Sequence, residues 1–238
     1  MPEACVAGCP TTTPACSMMG RMGPTPEAGA RIHVVLADDA DHFRRGLAAV
    51  LADDPGLVVV GEASDGDAAV ELAARLAPDV AVIDVRMPGT GGVAATRAIR
   101  TVSPVTRVLV LTVSDEDEDL MAAVVAGAHG YLLKDSAIEA VPEAIREVLR
   151  GGAAIAPLVA SALLAACAPT HGRGGADGGP DLRPGEAQVL RLLAGGASPA
   201  EIGVALDLPV AVVTHRLSDV LEKVHAYGRL APSGDTPP

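Results

Sequence analysis

The chain has 238 residues, of which 49% are hydrophobic and 20% charged, and its formal net charge is -12. This composition supports a folded core and excludes an extended disordered polymer, while the acidic excess argues against easy binding of nucleic acid. The longest apolar stretch, residues 153–168, contains Pro157 and is too short for a membrane span, and no secretion signal is recognisable. We therefore expect a cytoplasmic protein with no membrane segment.

The first half of the chain alternates strand patterns with helix patterns. Residues 1–30 lack periodicity and are predicted to be a disordered tail. Strands are predicted at residues 32–37, 57–61, 80–84, 107–112 and 130–133, and helices at 41–52, 66–76, 92–101, 117–126 and 137–150. Short, solid apolar strands between amphipathic helices predict an α/β domain over residues 31–150, with a doubly wound five-stranded parallel sheet covered on both faces.

A second, smaller part follows a linker. Residues 151–180 are predicted to contain a short helix and a Gly-rich flexible stretch, so the two folded parts are expected to be tethered and not fused. Helices at 184–194, 199–206 and 210–224, with a tight turn between the last two, predict a small all-α helix-turn-helix domain over residues 181–230. Residues 231–238 are predicted to be a second disordered tail.

Polar side chains stand at or just past the carboxyl ends of four predicted strands. They are Asp38 and Asp39, Asp84, Thr112 and Lys134. Because the carboxyl ends of parallel strands share one crevice, these groups are expected to meet there. Three carboxylates suit Mg²⁺, a carboxylate beside Mg²⁺ can attack a phosphoryl donor, and an ammonium and a hydroxyl can bind the phosphoryl oxygens.

Each of these residues alone has an ordinary structural interpretation. An Asp pair commonly caps a helix, an Asp at a strand end commonly forms a turn, and a Lys after a strand commonly solvates an edge. Only their joint placement at successive strand ends favours a shared site.

Four motifs around these residues resemble the flavodoxin-like receiver domain of bacterial two-component response regulators. They are Leu-Ala-Asp-Asp at 36–39, Val-Ile-Asp-Val-Arg-Met-Pro-Gly at 82–89, Val-Leu-Thr at 110–112 and Gly-Tyr-Leu-Leu-Lys-Asp at 130–135. The resemblance implies that a sensor histidine kinase phosphorylates Asp84 and that Asp39, Asp84 and the backbone carbonyl of Arg86 bind Mg²⁺, with Asp38 acting through water. It implies that Lys134 and Thr112 bind the phosphoryl oxygens. It also implies a switch in which the Tyr131 ring moves inward as Thr112 shifts towards the phosphoryl group.

The C-terminal part is similar to the helix-turn-helix module of the LuxR and NarL/FixJ families, from Leu182 through Ser198 to Ile202. An apolar stripe of Val213, Leu217, Val220, Leu221 and Val224 fixes the register of the third helix. In that register the resemblance makes this helix the one that enters the major groove of promoter DNA. The expected DNA-binding residues are Thr214, His215, Arg216, Ser218 and Lys223.

The third helix departs from its relatives in charge and at its end. Asp219 and Glu222 stand where relatives usually carry Arg, which predicts weak DNA binding, and His225 replaces a C-capping Gly. Pro232 leaves little room for a fourth helix that would begin near Arg229 and that helps to pair two modules in relatives, which argues against a homodimer formed upon phosphorylation through such a helix.

The sequence leaves two alternatives to a transcription regulator. In one, the receiver is phosphorylated and its acidic third helix binds another protein, with weak or no binding to DNA. In the other, the chain is a Mg²⁺-dependent phosphatase, but Asp84-Val-Arg lacks the second acid that such enzymes use, so we expect no enzyme. The cysteines Cys5, Cys9, Cys16 and Cys167 fit no standard zinc spacing and are not predicted to form a site.

Overall fold

The computed structural model describes residues 31–112, 117–134, 138–167 and 180–230. The predicted disordered tails at 1–30 and 231–238, the three cysteines of the first tail and most of the Gly-rich stretch lie outside these ranges.

Within the described ranges, five parallel strands form one sheet with the spatial order β2-β1-β3-β4-β5. Their bounds are β1 Ile32–Ala37, β2 Leu57–Ala63, β3 Val80–Asp84, β4 Arg107–Thr112 and β5 Gly130–Leu133. The central strands β3 and β4 are almost wholly buried because their side chains are apolar on both faces of the sheet. The predicted α/β fold with a parallel, doubly wound sheet is confirmed.

Helices cover both faces of this sheet. Their bounds are α1 Asp41–Ala52, α2 Gly66–Leu76, α3 Gly91–Val102, α4 Asp117–Ala126 and α5 Val141–Leu149, the last preceded by a 3₁₀ turn at Ile138–Ala140. On one face the apolar side chains of α1 and α5 pack against the sheet, and on the other face those of α2, α3 and α4 do so. Among the described helices, none combines the length and apolarity needed to cross a bilayer.

The C-terminal part is helical, as the sequence predicts. Its helices are α6 Pro157–Ala166, α7 Pro184–Ala194, α8 Pro199–Leu206 and α9 Val210–Leu230. Ser198 caps α8 by accepting a hydrogen bond from the amide of Glu201, and α8 ends at Asp207, which adopts the left-handed conformation.

The predicted end of the third helix at residue 224 is wrong, because α9 continues unbroken to Leu230. Relatives with Gly at position 225 have a residue that favours ending a helix, whereas His225 carries no such preference. Arg229, where a separate fourth helix would begin in relatives, lies in the last turn of the same helix.

The expectation of two parts that are only tethered is corrected by three contacts. Residue Ile155 bridges to Tyr131 in parallel fashion, which adds the start of the linker to the edge of β5. The amide of Ala153 donates to the carbonyl of Thr214 at 3.2 Å. One buried apolar cluster runs from the receiver sheet through α6 to α9. In this structure the two parts therefore pack together as a closed arrangement.

Candidate metal centre and helix-turn-helix interface

The three carboxylates predicted from the strand ends come together where the order of the sheet reverses. Asp38 and Asp39 follow β1, Asp84 ends the neighbouring β3, and one carboxylate oxygen from each lies within 4.8 Å of the other two. Asp39 is exposed, whereas Asp38 and Asp84 are buried. The crevice is thus open to solvent on one side and closed at its base.

Lys134 joins Asp38 and Asp84 at the base of the crevice. Its Nζ lies 2.6 Å from Asp38 Oδ2 and 2.8 Å from Asp84 Oδ2, and only 7% of its side chain is exposed. The Phe43 ring lies beneath the ammonium, 4.7 Å from Nζ to the ring centroid. Sequence reasoning missed Phe43, although the scarcity of aromatic residues marked each ring as one to explain. The ammonium is held by two charges and one aromatic face.

The pKa values of Asp84 and Lys134 are both raised, but for different reasons. Desolvation raises the pKa of Asp84, and the hydrogen bond from Lys134 only partly offsets this effect. Burial alone would lower the pKa of Lys134, but its hydrogen bonds to Asp38 and Asp84 outweigh burial and raise it. Lys134 therefore stays charged at neutral pH.

One carboxylate oxygen in the crevice lacks a partner. Asp84 Oδ1 is buried and accepts no hydrogen bond from the part of the chain that the structure describes. A buried anionic oxygen without a donor is costly, and a hard cation compensates it well. Together with the nearby oxygens of Asp38 and Asp39, it makes the residues present a good fit for Mg²⁺.

The other site residues lie where the sequence predicts them. Thr112 is buried at the end of β4, and Arg86 follows β3 by two residues. The Asp38 side chain is fixed because its Oδ1 accepts from the amide of Ala40 at 2.9 Å, and Arg44 donates to its carbonyl at 2.7 Å. The carboxylates are thus held in place by the loop from β1 to α1.

Gly92 supports the main chain of Asp84, and sequence reasoning missed this role. A Cβ at position 92 would lie 1.8 Å from the carbonyl oxygen of Asp84, so any side chain would displace the strand end. The amide of Gly92 also donates to Val85 O at 3.0 Å. The only signal in the sequence is the Gly-rich run at residues 89–92.

Comparison with known proteins places this crevice in a family. The model of the response regulator receiver domain matches residues 34–146. The nitrate/nitrite response regulator protein NarP of Escherichia coli is 36% identical over 208 residues, covering 87% of this chain and 94% of that protein. The transcriptional regulatory protein DegU of Brevibacillus brevis is 32% identical over 221 residues, covering 84% and 90%. The chain belongs to the NarL/FixJ family of response regulators.

A solved structure supports the same assignment over both parts. The RcsB response regulator of Salmonella typhimurium, described for its conformational dynamism for DNA interaction, has a TM-score of 0.52 at 25% identity. The match covers 82% of this chain and 92% of that chain. The receiver domain and these relatives make the chain a transcription regulator that is controlled by phosphorylation.

In this response regulator the predicted switch residue Tyr131 already lies inward. Its side chain is fully buried, and its hydroxyl lies 3.1–3.2 Å from the carbonyls of Ala123, Val124 and Ala128 at the end of α4. Its backbone pairs with the linker, since Ala156 N donates to Tyr131 O at 2.8 Å. Tyr131 therefore contacts α4 with its ring and the linker with its main chain.

The predicted DNA-binding residues of the response regulator occupy different environments on α9. Thr214 is buried at the contact with the receiver, and its hydroxyl donates back to the carbonyl of Val210 or Ala211. His215 is exposed, and Arg216 and Ser218 are half-buried. The side chain of Thr214 is thus out of reach of a DNA base in the closed arrangement.

Lys223 stabilises the helix-turn-helix module from within. Its Nζ lies 2.6 Å from Glu186 Oε2, which is buried at the start of α7, and 3.1 Å from the carbonyl of Asp181. Burial would raise the pKa of Glu186, but the hydrogen bond from Lys223 and that from the amide of Arg183 lower it overall. The pair ties α9 to α7.

The extended end of α9 contacts the receiver directly. The His225 ring lies beside the backbone of Val124 in α4. A Cβ at position 228 would lie 2.4 Å from a methyl group of Val125, so the absence of a side chain at Gly228 lets the two helices pack closely there. The turns of α9 from His225 onward, beyond the point where relatives carry a C-capping Gly, therefore form part of the interdomain contact.

Proposed function

We propose that a sensor histidine kinase phosphorylates Asp84 of this cytoplasmic response regulator and that the modification frees α9 to bind promoter DNA. The observation that carries the proposal is the buried Asp84 carboxylate, with one oxygen paired to Lys134 and the other without a partner among the described residues. Such a carboxylate combines a positioned nucleophile with a cation that can stabilise the product.

Mg²⁺ is the cofactor that this site supports. Asp39, Asp84 and the backbone carbonyl of Arg86 would hold it, with Asp38 acting through water. When bound, the ion would offset the negative charge of the carboxylates and of the phosphoryl oxygens. Without the positive charge of the ion, the three acids would repel a phosphoryl dianion.

The chain's own residues have distinct roles in the transfer. An Asp84 oxygen forms the bond to phosphorus while the bond from phosphorus to the imidazole nitrogen of the kinase breaks. Lys134, now 2.8 Å from Asp84 Oδ2, pairs with a phosphoryl oxygen of the product. The hydroxyl of Thr112 donates a hydrogen bond to another phosphoryl oxygen.

We infer a short route from this site to α9. Thr112 pairs with Leu133 across β4 and β5, and Tyr131 lies two residues before Leu133 on the same strand. The hydroxyl of Tyr131 donates to the carbonyl of Val124, and the His225 ring of α9 lies beside the backbone of the same residue. A shift of the end of α4 upon phosphorylation would change both contacts and weaken the closed arrangement.

Release of α9 would then expose the residues proposed to contact DNA. Thr214 lies beside Gly152 at the interdomain contact, His215 and Ser218 line the cleft between the two parts, and Arg216 lies beside Gly185 of α7. Lys223 would contribute through a phosphate only if its pair with Glu186 opened. We propose that two freed modules pair on promoter DNA as a homodimer.

Phosphorylation by acetyl phosphate and Mg²⁺ tests the first step. Intact mass or Phos-tag gels should show one phosphoryl group on the wild-type protein and none on Asp84→Asn. The matched control is Asp53→Asn, an exposed acid at the end of α1, which should be labelled like the wild type. Labelling that persists in Asp84→Asn would reject Asp84 as the acceptor.

A further inference from the structure

Apolar side chains are exposed at the helix-turn-helix, where α8 leads into α9. Seven large apolar side chains are exposed in the part of the chain that the structure describes, and three of them, Val204, Val210 and Val212, lie in this short stretch. Their exposed fractions are 86%, 46% and 38%. Ala211, between the last two, is exposed as well. Such a concentration of exposed apolar groups is typical of a binding surface.

The register of α9 keeps the side chains of its first turn out of the core. Val213 is fully buried and Leu217 is almost so, which fixes the inner face of the helix. With 3.6 residues per turn, Ala211 lies on the side opposite to this face, and Val212 lies on the flank beside it. His215 follows Ala211 by four residues and therefore lies on the same outward side. The apolar first turn thus continues the outward face that carries His215.

The stability of α9 itself does not call for these residues. The start of a helix favours a Ser, Thr, Asp or Asn cap and acidic side chains in the first turn. Here Pro209, whose ring cannot cap, precedes the helix, and the first turn contains no acid. Val is also a poorer helix former than Ala, Glu or Lys. The exposed valines at the start of α9 are therefore better explained by contact with a ligand than by folding.

The position of this first turn in the module selects the kind of ligand. In a helix-turn-helix, the N-terminal residues of the second helix contact base edges in the major groove of DNA. That helix is α9, and its N-terminal residues are the apolar ones. Farther along α9, the acids Asp219 and Glu222 would repel the phosphates on either side of the groove. The first turn is therefore the part of α9 that can approach the bases most closely.

The chemistry of these side chains limits what they can recognise on a base. Those of Ala and Val neither donate nor accept hydrogen bonds, so they cannot read the polar edges of the bases. The apolar group that the major groove presents is the C5 methyl of thymine. We propose, on the basis of the DNA-binding function proposed above, that Ala211 and Val212 contact thymine methyl groups and thereby select sites with thymine at the contacted positions.

Val210 has a different role, because it holds the first turn of α9 against α8. A Cβ at position 203 would lie 3.7 Å from a methyl group of Val210 and 2.7 Å from the carbonyl oxygen of Leu208, so Gly203 lets the turn pack closely. The amide of Leu208 also donates to the carbonyl of Gly203 at 2.8 Å. The backbone that carries Ala211 and Val212 is thus firmly supported, and a firm support makes contact with a single methyl group selective.

Replacement of thymine by uracil in the DNA tests the proposal, because uracil lacks only the C5 methyl and pairs with adenine in the same way. The phosphorylated full-length protein first selects its sites from a pool of random duplexes. Each thymine of a selected site is then replaced singly by uracil. Fluorescence anisotropy measures the dissociation constant of every duplex at one salt concentration.

The variants are Ala211→Ser and Val212→Ser, with Val102→Ser as the matched control. Ala211 and Val212 are exposed, so neither change removes a core contact. Val102 is an exposed valine at the end of α3 in the receiver, away from the helix-turn-helix. The wild type should bind about fourfold more weakly for each contacted methyl group that is removed, which corresponds to about 0.8 kcal/mol per buried methyl. Ala211→Ser and Val212→Ser should each abolish the loss at one position, and Val102→Ser should keep the wild-type losses.

Two results would overturn thymine recognition while leaving DNA binding intact. One is equal affinity for the thymine and uracil duplexes at every position of the site. The other is a loss upon uracil substitution that persists unchanged in both Ala211→Ser and Val212→Ser. A phosphorylated wild-type protein that selects no DNA sequence would overturn the proposed function together with this inference, and the exposed apolar surface would then be left to a protein partner.

Discussion

Tyr131 of the receiver and His225 of α9 both lie against Val124. The Tyr131 hydroxyl lies 3.2 Å from the carbonyl oxygen of Val124, and the His225 ring lies beside the backbone of the same residue from the other side of the domain boundary. The last turn of α4 therefore connects the sheet that bears Thr112 to the helix proposed to read DNA.

Tyr131→Phe should destabilise the protein by about 1 kcal/mol, because it removes a buried hydroxyl and its hydrogen bond while retaining the ring. Urea unfolding of the full-length protein measures the change. Tyr227→Phe is the matched control, since Tyr227 is 37% exposed, and it should alter the free energy of unfolding very little.

The shared contact with Val124 also predicts coupling between the two residues. In a double-mutant cycle, Tyr131→Phe and His225→Leu should be non-additive by about 0.5 kcal/mol or more. Strictly additive effects would show that the end of α4 does not link the two side chains.

Acidification should weaken the closed structure. His225 has a pKa of about 4 in the folded protein, mainly because it is buried and also because Arg100 and Arg229 lie near it. An unfolded imidazole titrates near 6.5, so the unfolded chain binds more protons between these values. The neutral histidine contributes fully above pH 6.5, and its contribution is lost as the pH falls towards 4, by on the order of 3 kcal/mol.

Unfolding free energies measured at pH 7.5 and pH 5 check this prediction. His225→Leu should lose less stability between the two pH values than the wild type does. His42→Leu, which changes an exposed histidine of α1, should keep the wild-type dependence. Equal losses in His225→Leu and the wild type would contradict the assignment.

The fold and the composition of the crevice could be predicted from local patterns. Each strand is a continuous apolar run, and the polar residue after it marks its carboxyl end, so Asp84 and Lys134 could be placed together without knowledge of the packing. The buried stripe from Val213 to Val224 likewise confirms the register of α9, since a helix in another register would bury its charges.

The interdomain contact could not be predicted because it depends on tertiary packing. Nothing in the sequence near His225 marks Val124 as its partner, and the two residues are far apart in the chain. The loss of Gly at position 225 was visible, but only the structure places the extra turns of α9 against α4. Gly92 was missed for a similar reason, since its role depends on the nearby carbonyl of Asp84.

Lys223→Met should destabilise the helix-turn-helix module by about 3 kcal/mol, because it leaves Glu186 buried without its cation. The depressed pKa of Glu186 in the wild type means that the pair stabilises above the unfolded pKa of about 4.3 and is lost as the pH falls below it. The difference in stability between Lys223→Met and the wild type should therefore disappear at low pH. Thermal unfolding at pH 7 and pH 3 measures both effects, with the exposed Arg191→Met as the control. A neutral effect of Lys223→Met at pH 7 would refute the structural role.

Asp219→Arg and Glu222→Arg should strengthen DNA binding by the phosphorylated protein, because each replaces a charge that repels phosphates with one that attracts them. For each new phosphate contact, the slope of log K against log salt should steepen by about 0.9. Fluorescence anisotropy across a salt series measures affinity and slope together. Glu71→Arg, an exposed change on α2, should leave the slope unaltered. Unchanged slopes in both α9 variants would mean that this face of α9 does not approach DNA.

The central claim is that phosphorylation of Asp84 separates α9 from the receiver. Hydrogen exchange at the Ala153 amide is the most direct test, because this amide donates to the carbonyl of Thr214 across the domain boundary. Acetyl phosphate with Mg²⁺ should speed exchange at Ala153 and across α9 in the wild-type protein, and Asp84→Asn should show no change. Exchange at Ala153 that stays equally slow in fully phosphorylated protein would contradict the account.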